Sequence, residues 1–97
     1  MNIVDYIPVG RENAISRKML SQATGLSDRI VRGMIEDARI AGEIICNLQD
    51  GRGYYVPRPD DLESVSRQYW QNRHRAMSVL VQNKNLRRRL RQAGRPV

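Results

Sequence analysis

Arg29 and Arg32 stand three residues apart. On a helix that spacing puts both guanidinium groups on one face. A guanidinium can fork onto O6 and N7 of guanine in the major groove, and one such pair gives about 1–3 kcal/mol of discrimination. Ser27, just upstream, has a capping side chain, and the free amides of a helix start suit a phosphate. Arg17 and Lys18 lie on the preceding segment, where cations would position a nucleic-acid backbone rather than read its sequence. A solvated surface is the competing reading. Arg32 has Glu36 four residues on and Asp28 four residues back, and exposed pairs of this kind are worth only about 0.3–0.5 kcal/mol. Glu36 and Asp37 would repel phosphate if they faced it.

A second basic group lies downstream. Residues 64–97 hold nine Lys or Arg and no acidic residue, whereas residues 1–63 carry a net charge of −2 within the overall +7. Arg87, Arg88, Arg89, Arg91 and Arg95 dominate this tail. They suit non-specific phosphate binding, docking on an acidic protein or on the acidic first half of the chain, or plain solvation. Self-repulsion makes solvation the least satisfying of the three.

Catalytic chemistry is not expected. The only histidine, His74, sits among Asn72, Arg73 and Arg75 without a carboxylate neighbour. One Cys and one His cannot supply the usual zinc set. No Gly-rich phosphate loop joins a strand to a helix. Asp60, Asp61 and Glu63 read as helix-start charges rather than a metal cluster. The expectation is therefore no enzyme, metal, cofactor or small-molecule ligand. Cys46 lies in an apolar run and reads as a small buried hydrophobe. With a single cysteine, no secretory pattern at Met1–Asp5 and no apolar run near ~18 residues, the chain is expected in a reducing cytoplasm and away from membranes.

The elements that must place these residues follow from periodicity. Ile3, Val4 and Ile7 suit a short helical face that Pro8-Val9-Gly10 breaks. Asn13-Ala14-Ile15 reads as an extended entry, and Ser16 as the cap of a helix burying Met19, Leu20 and Ala23. Gly25 suits its left-handed end. Ser27 caps a second helix to Ala41, with Ile30, Val31, Met34, Ile35, Ala38 and Ala41 on its buried face. Glu43–Leu48 and Tyr54–Val56 read as strands around an Asp-Gly turn. Asp60 with Glu63 opens a last helix that runs to about Ala93. Asn83-Lys84-Asn85 allows a kink or a split there.

These residues resemble the winged helix-turn-helix family. The likeness rests on Ile15-Ser16, Leu20, Thr24-Gly25-Leu26-Ser27, Arg29 and Val31-Arg32, with Gly42, Ile44-Ile45 and the Gly51-Arg52-Gly53-Tyr54-Tyr55 turn. The whole chain also looks like small proteins of phages and prophages of Gram-positive bacteria, through Ile7-Pro8 to Ser16 and the basic helix after the turn. The resemblance implies an α+β fold: a winged helix-turn-helix of three short helices plus a two- to three-stranded β wing over residues 1–57, with a long C-terminal α-helix over 58–97. It implies that helix 27–41 enters the major groove with Ser27, Arg29 and Arg32, and that Arg52 reaches a phosphate or the minor groove. A charged turn tip that is merely soluble is the equal alternative for Arg52.

The apolar segment Ala76–Val81 cannot stay comfortably in water. Tyr69, Trp70, Ala76, Leu80 and Leu86 are therefore expected at a homodimer interface, or folded back on the chain's own body. The leading expectation is double-stranded DNA binding by a phage-type transcriptional regulator or replication accessory factor. The alternative from another class is a phage-type protein that blocks a host nucleoprotein or antiviral nuclease, such as a CRISPR effector. RNA is a third partner, without the aromatic sheet face usual for it.

Overall fold

Local capping chemistry sets the first two helices. The computed structural model describes residues 1–97. Ser16 is extended, and its Oγ accepts the Met19 N–H at 3.2 Å, opening α1 over Arg17–Thr24. Gly25 ends it at φ +73, in the left-handed region where glycine carries no Cβ penalty. Ser27 then caps α2, Asp28–Ile40, by accepting the Ile30 N–H at 3.3 Å. Between them the Ser21 hydroxyl donates to the Leu26 carbonyl and ties the turn. A 3-10 turn at Ile3–Tyr6 lies beside both helices.

The main core is Ile3, Ile7, Leu20, Val31, Ile35, Ile45 and Tyr54. Val31 and Ile35 are the fully buried pair of α2. Two helical faces expected from periodicity are narrower than drawn. Met19 and Ile30 are more than half or half exposed, and Ala41 is exposed, because α1 and α2 bury one residue row each.

The expected α+β fold with a β wing does not form: the chain has three α-helices and no sheet, only isolated one-rung bridges. Tyr54 pairs with Ile15, Tyr55 with Cys46, and Val56 with Val9. Each ladder stops for a physical reason. Beyond the Cys46–Tyr55 rung, the next bonded rungs would join residue 44 to 57 and residue 48 to 53. Pro57 has no N–H to give. Gly53, at φ +103, turns the chain away from residue 48. On the other side Ile15 lies between a 3-10 turn, Arg11–Asn13, and the start of α1, so neither neighbour is free to pair.

The outward backbone groups of Asn47, which another strand would need, are taken by side chains of the last helix. That helix, α3, spans Leu62–Gln92 without a break at Asn83-Lys84-Asn85. At 1.5 Å per residue it is about 46 Å long. Its cap is Asp61 rather than Asp60: the carboxylate accepts the Ser64 N–H at 3.0 Å and the Ser64 hydroxyl at 2.6 Å. That second bond is the main reason the Asp61 carboxyl titrates below its ordinary value. Gln68 Oε1 accepts the Asn47 N–H at 2.7 Å, and Gln71 Nε2 donates to the Asn47 carbonyl at 2.9 Å.

Beneath this joint, Cys46, Leu48 and Tyr55 form a second core against Ala14. Burial pushes the Cys46 thiol and the Tyr55 phenol up from their ordinary values. The Tyr55 hydroxyl donates to Ser64 Oγ at 2.6 Å. Tyr55→Phe removes that donor and is expected to cost about 1–2 kcal/mol, read as a shift of the urea midpoint. Beyond Gln71 the helix leaves the body, and every residue from 72 to 97 is exposed. No helix is long and apolar enough to cross a membrane.

The N-terminal segment is tied to the linker by charge. Arg58 donates to Glu12, and this bond is the first cause holding the Glu12 carboxyl down at about 2. Because the folded value lies below the ordinary one, the pair stabilises fully above pH 4.5 and its contribution is lost as pH falls toward 2. Glu12→Gln is therefore expected to lower the thermal midpoint at pH 7, with the difference from the parent vanishing near pH 2.

Candidate nucleic-acid interface

α2 presents Arg29 and Arg32 on its solvent side, in the turns just after the Ser27 cap. Both line a cleft of about 550 Å³ that also takes in Arg39, Tyr54 and, from α3, Arg75. Arg39 forms the back of this cleft. Its Nε and Nη2 donate to the Ile45 carbonyl at 3.0 and 2.9 Å, and its guanidinium lies 5.8 Å from the centre of the Tyr54 ring. Those bonds hold Arg39 in one position and leave Arg29, Arg32 and Arg75 as the cations that face outward. One carboxylate, Glu36, shares the cleft.

The ion pairs decide which basic side chains are available. Four form: Arg11–Asp50 at 2.7 Å, Arg17–Asp28 at 2.9 Å, Arg52–Asp50 at 3.9 Å, and Arg58–Glu12. Asp28 thus serves Arg17 across the turn rather than Arg32, and Arg32 makes no pair with Glu36. Arg29, Arg32 and Arg75 have no carboxylate within 4.0 Å. An arginine without an internal partner is the one that gains most from a phosphate or a base edge.

Other basic residues named from sequence fall elsewhere. Arg17 and Lys18 line a second groove with Gln49, Gly51 and Tyr54, so Tyr54 borders both grooves. Arg17 is already neutralised by Asp28. Arg52 is drawn to Asp50, which also accepts its backbone N–H at 3.1 Å. That carboxylate is held below its ordinary value chiefly by the hydrogen bond from Arg11. Ser27 Oγ is engaged as the cap. Lys84, Arg87, Arg88 and Arg91 gather far out on α3, and Arg89 is exposed on the same helix. None of these has a carboxylate partner.

The five residues expected at an interface, Tyr69, Trp70, Ala76, Leu80 and Leu86, are all exposed on α3. Tyr69 and Trp70 meet edge to face at 5.1 Å. The helix does not fold back to cover them. Arg75, Arg39 and Tyr54 were not singled out for this cleft from the sequence. Arg75 joins it only because Gln68 and Gln71 dock α3 on Asn47, and no local pattern signals that. No protein-family model, curated protein or solved structure matches this chain.

Proposed function

We propose that this chain binds double-stranded DNA in the cytoplasm, presenting α2 to the major groove. The observation that carries the reading is the convergence of Arg29, Arg32 and Arg75, none paired with a carboxylate, on one cleft beside the exposed face of α2. Arg29 and Arg32 read base edges, and Arg75 takes a phosphate. Arg89, on the Arg75 side of α3, adds a backbone contact further along, whereas Lys84, Arg87, Arg88 and Arg91 gather on the far side of that helix as a separate basic patch. Arg17 and Arg52 are secondary, since each is held by an aspartate. A transcriptional regulator or replication accessory factor is the role this describes.

The test is fluorescence anisotropy with a random duplex and the gene's own upstream region, at about 50 and 200 mM salt. Two phosphate contacts, Arg75 and Arg89, would weaken binding roughly 12-fold across that range. Tighter, salt-sensitive binding to the upstream region is the expected result. Equal binding to both duplexes would replace sequence reading by an architectural role. No binding at low salt would sink the DNA reading.

A second reading draws on the exposed apolar and basic far half of α3. A protein that blocks a host nucleoprotein through α3 would tolerate Arg29→Ala and depend on Tyr69 and Trp70, nearer the body, or on the basic tail.

A further inference from the structure

The far half of α3 carries a repeat that the body does not use. Between residues 82 and 92 the only apolar side chains are Leu86 and Leu90. Both are exposed, as is Val79. Ala76, Val79, Asn83, Leu86, Leu90 and Ala93 follow one another at steps of 3, 4, 3, 4 and 3. Tyr69 and Asn72 extend the same alternation toward the body. Alternating steps of three and four repeat every seven residues, a period of 3.5, which is that of a left-handed two-stranded supercoil and slightly under the 3.6 of a straight helix. Off this line, residues 82–92 are Gln, Lys, Asn and Arg, so the outermost turns offer a single seam, while Met77, Leu80 and Val81 are exposed apolar side chains outside its inner end.

We propose that this seam pairs with a second copy of the chain as a parallel, in-register coiled coil. Asn83 selects the occupant and the direction. In a parallel pair it faces the partner's Asn83, and the two amides bond each other inside an apolar seam. In an antiparallel pair it faces the partner's Val79 or the partner's Leu86, and its amide is buried without a partner, which costs free energy. A seam asparagine is a known device for fixing register and two-strandedness.

The flanking charges agree with the parallel direction. Flank residues there meet the partner's residue five positions on. Arg75 meets the partner's Leu80 and Gln82 meets the partner's Arg87, while the position opposite Arg89 falls past the end of the partner's helix. No arginine faces an arginine across the seam. An antiparallel pair that sets Asn83 against the partner's Val79 instead stacks Arg75 on the partner's Arg89, and Arg73 on the partner's Arg87. Of the residues expected at an interface from the sequence, Leu80 flanks this seam and Trp70 lies on the outer face of the helix, away from it.

The two basic arms still repel each other at long range. Salt screens that repulsion over about 10 Å at 0.1 M. The dimer therefore tightens as salt rises, the opposite of DNA binding, so failure of one reading leaves the other standing.

The experiment is sedimentation equilibrium of the full chain at low and high salt. The expected species is twice the 11.2 kDa of one chain, favoured at high salt. The double variant Leu86→Glu/Leu90→Glu is expected to be monomeric while its circular dichroism keeps the near-ultraviolet signal of the body. Val79→Cys is expected to cross-link in a glutathione redox buffer, because the parallel register sets the two thiols opposite each other. The parent, whose only cysteine is buried, does not cross-link. A monomer up to about 1 mM overturns the proposal. So does a dimer in which Val79→Cys stays reduced, since that dimer is not parallel and in register.

Discussion

Replacing Gly53 with alanine should cost about 4 kcal/mol, a large share of the roughly 5–15 kcal/mol that stabilises a chain of this size. Two independent effects add. The residue sits at φ +103, where an L side chain is strained by about 1–3 kcal/mol. A new Cβ would also stand 2.6 Å from the Ile15 carbonyl carbon and 2.9 Å from the Ser16 Cα, which are backbone atoms with no flexible end to move aside. Relieving the clash means separating Ile15 from Tyr54, whose two backbone bonds measure 2.9 and 2.8 Å. That rung holds the start of α1 against the segment that carries Tyr55. Gly51→Ala is the internal control. It has φ +84 but nothing within 4 Å, so it should lose only about 1 kcal/mol. Urea melts of both variants check the contrast. Equal midpoints would show that the close approach at Gly53 does not matter.

Arg29→Ala/Arg32→Ala should weaken binding to the preferred duplex by about 2–6 kcal/mol and flatten the preference for it, if each arginine forks onto a base. Folding should change by less than about 0.5 kcal/mol, because both side chains are exposed and unpaired. Arg75→Ala should act differently. As a phosphate contact it lowers affinity on every sequence alike and reduces the salt slope by about one. Arg17→Ala is the contrast, since its guanidinium is already matched to Asp28 at 2.9 Å. Anisotropy titrations across salt separate these patterns. Unchanged sequence preference in the double variant would remove α2 from the interface.

What was legible in the sequence was the local chemistry. Ser16, Ser27 and Gly25 act within three or four residues of themselves, so their roles can be read from neighbours alone. The extent of α3 was legible too, since no Gly or Pro lies inside it, but its passage unbroken through Asn83-Lys84-Asn85, where a kink or split was open, was not. The wing failed for the opposite reason. Gln49–Gly53 and its apolar flanks have the composition of a hairpin, but pairing depends on distant competitors. Pro57, the turn at Arg11–Asn13 and the two glutamines on Asn47 each remove a rung that composition alone allows. The cleft divides in the same way. Arg29 and Arg32 share a face by spacing, whereas Arg75 arrives from another helix. The partner of Asp28 also came from across a turn, where helical spacing has no say.

The joint between α3 and the body is made of directional amide bonds and a buried hydroxyl relay, not of a greasy face that can slide. Gln68, Gln71 and the Tyr55–Ser64–Asp61 series fix the helix in azimuth as well as in position. The arm is therefore a lever with a set angle. Arg75 lies near its fulcrum, and Arg91 about 24 Å further out. If the cleft takes a polyanion as proposed, that ligand would meet the arm along one fixed bearing, on the side of α3 that carries Arg75 and Arg89 and away from Arg87, Arg88 and Arg91.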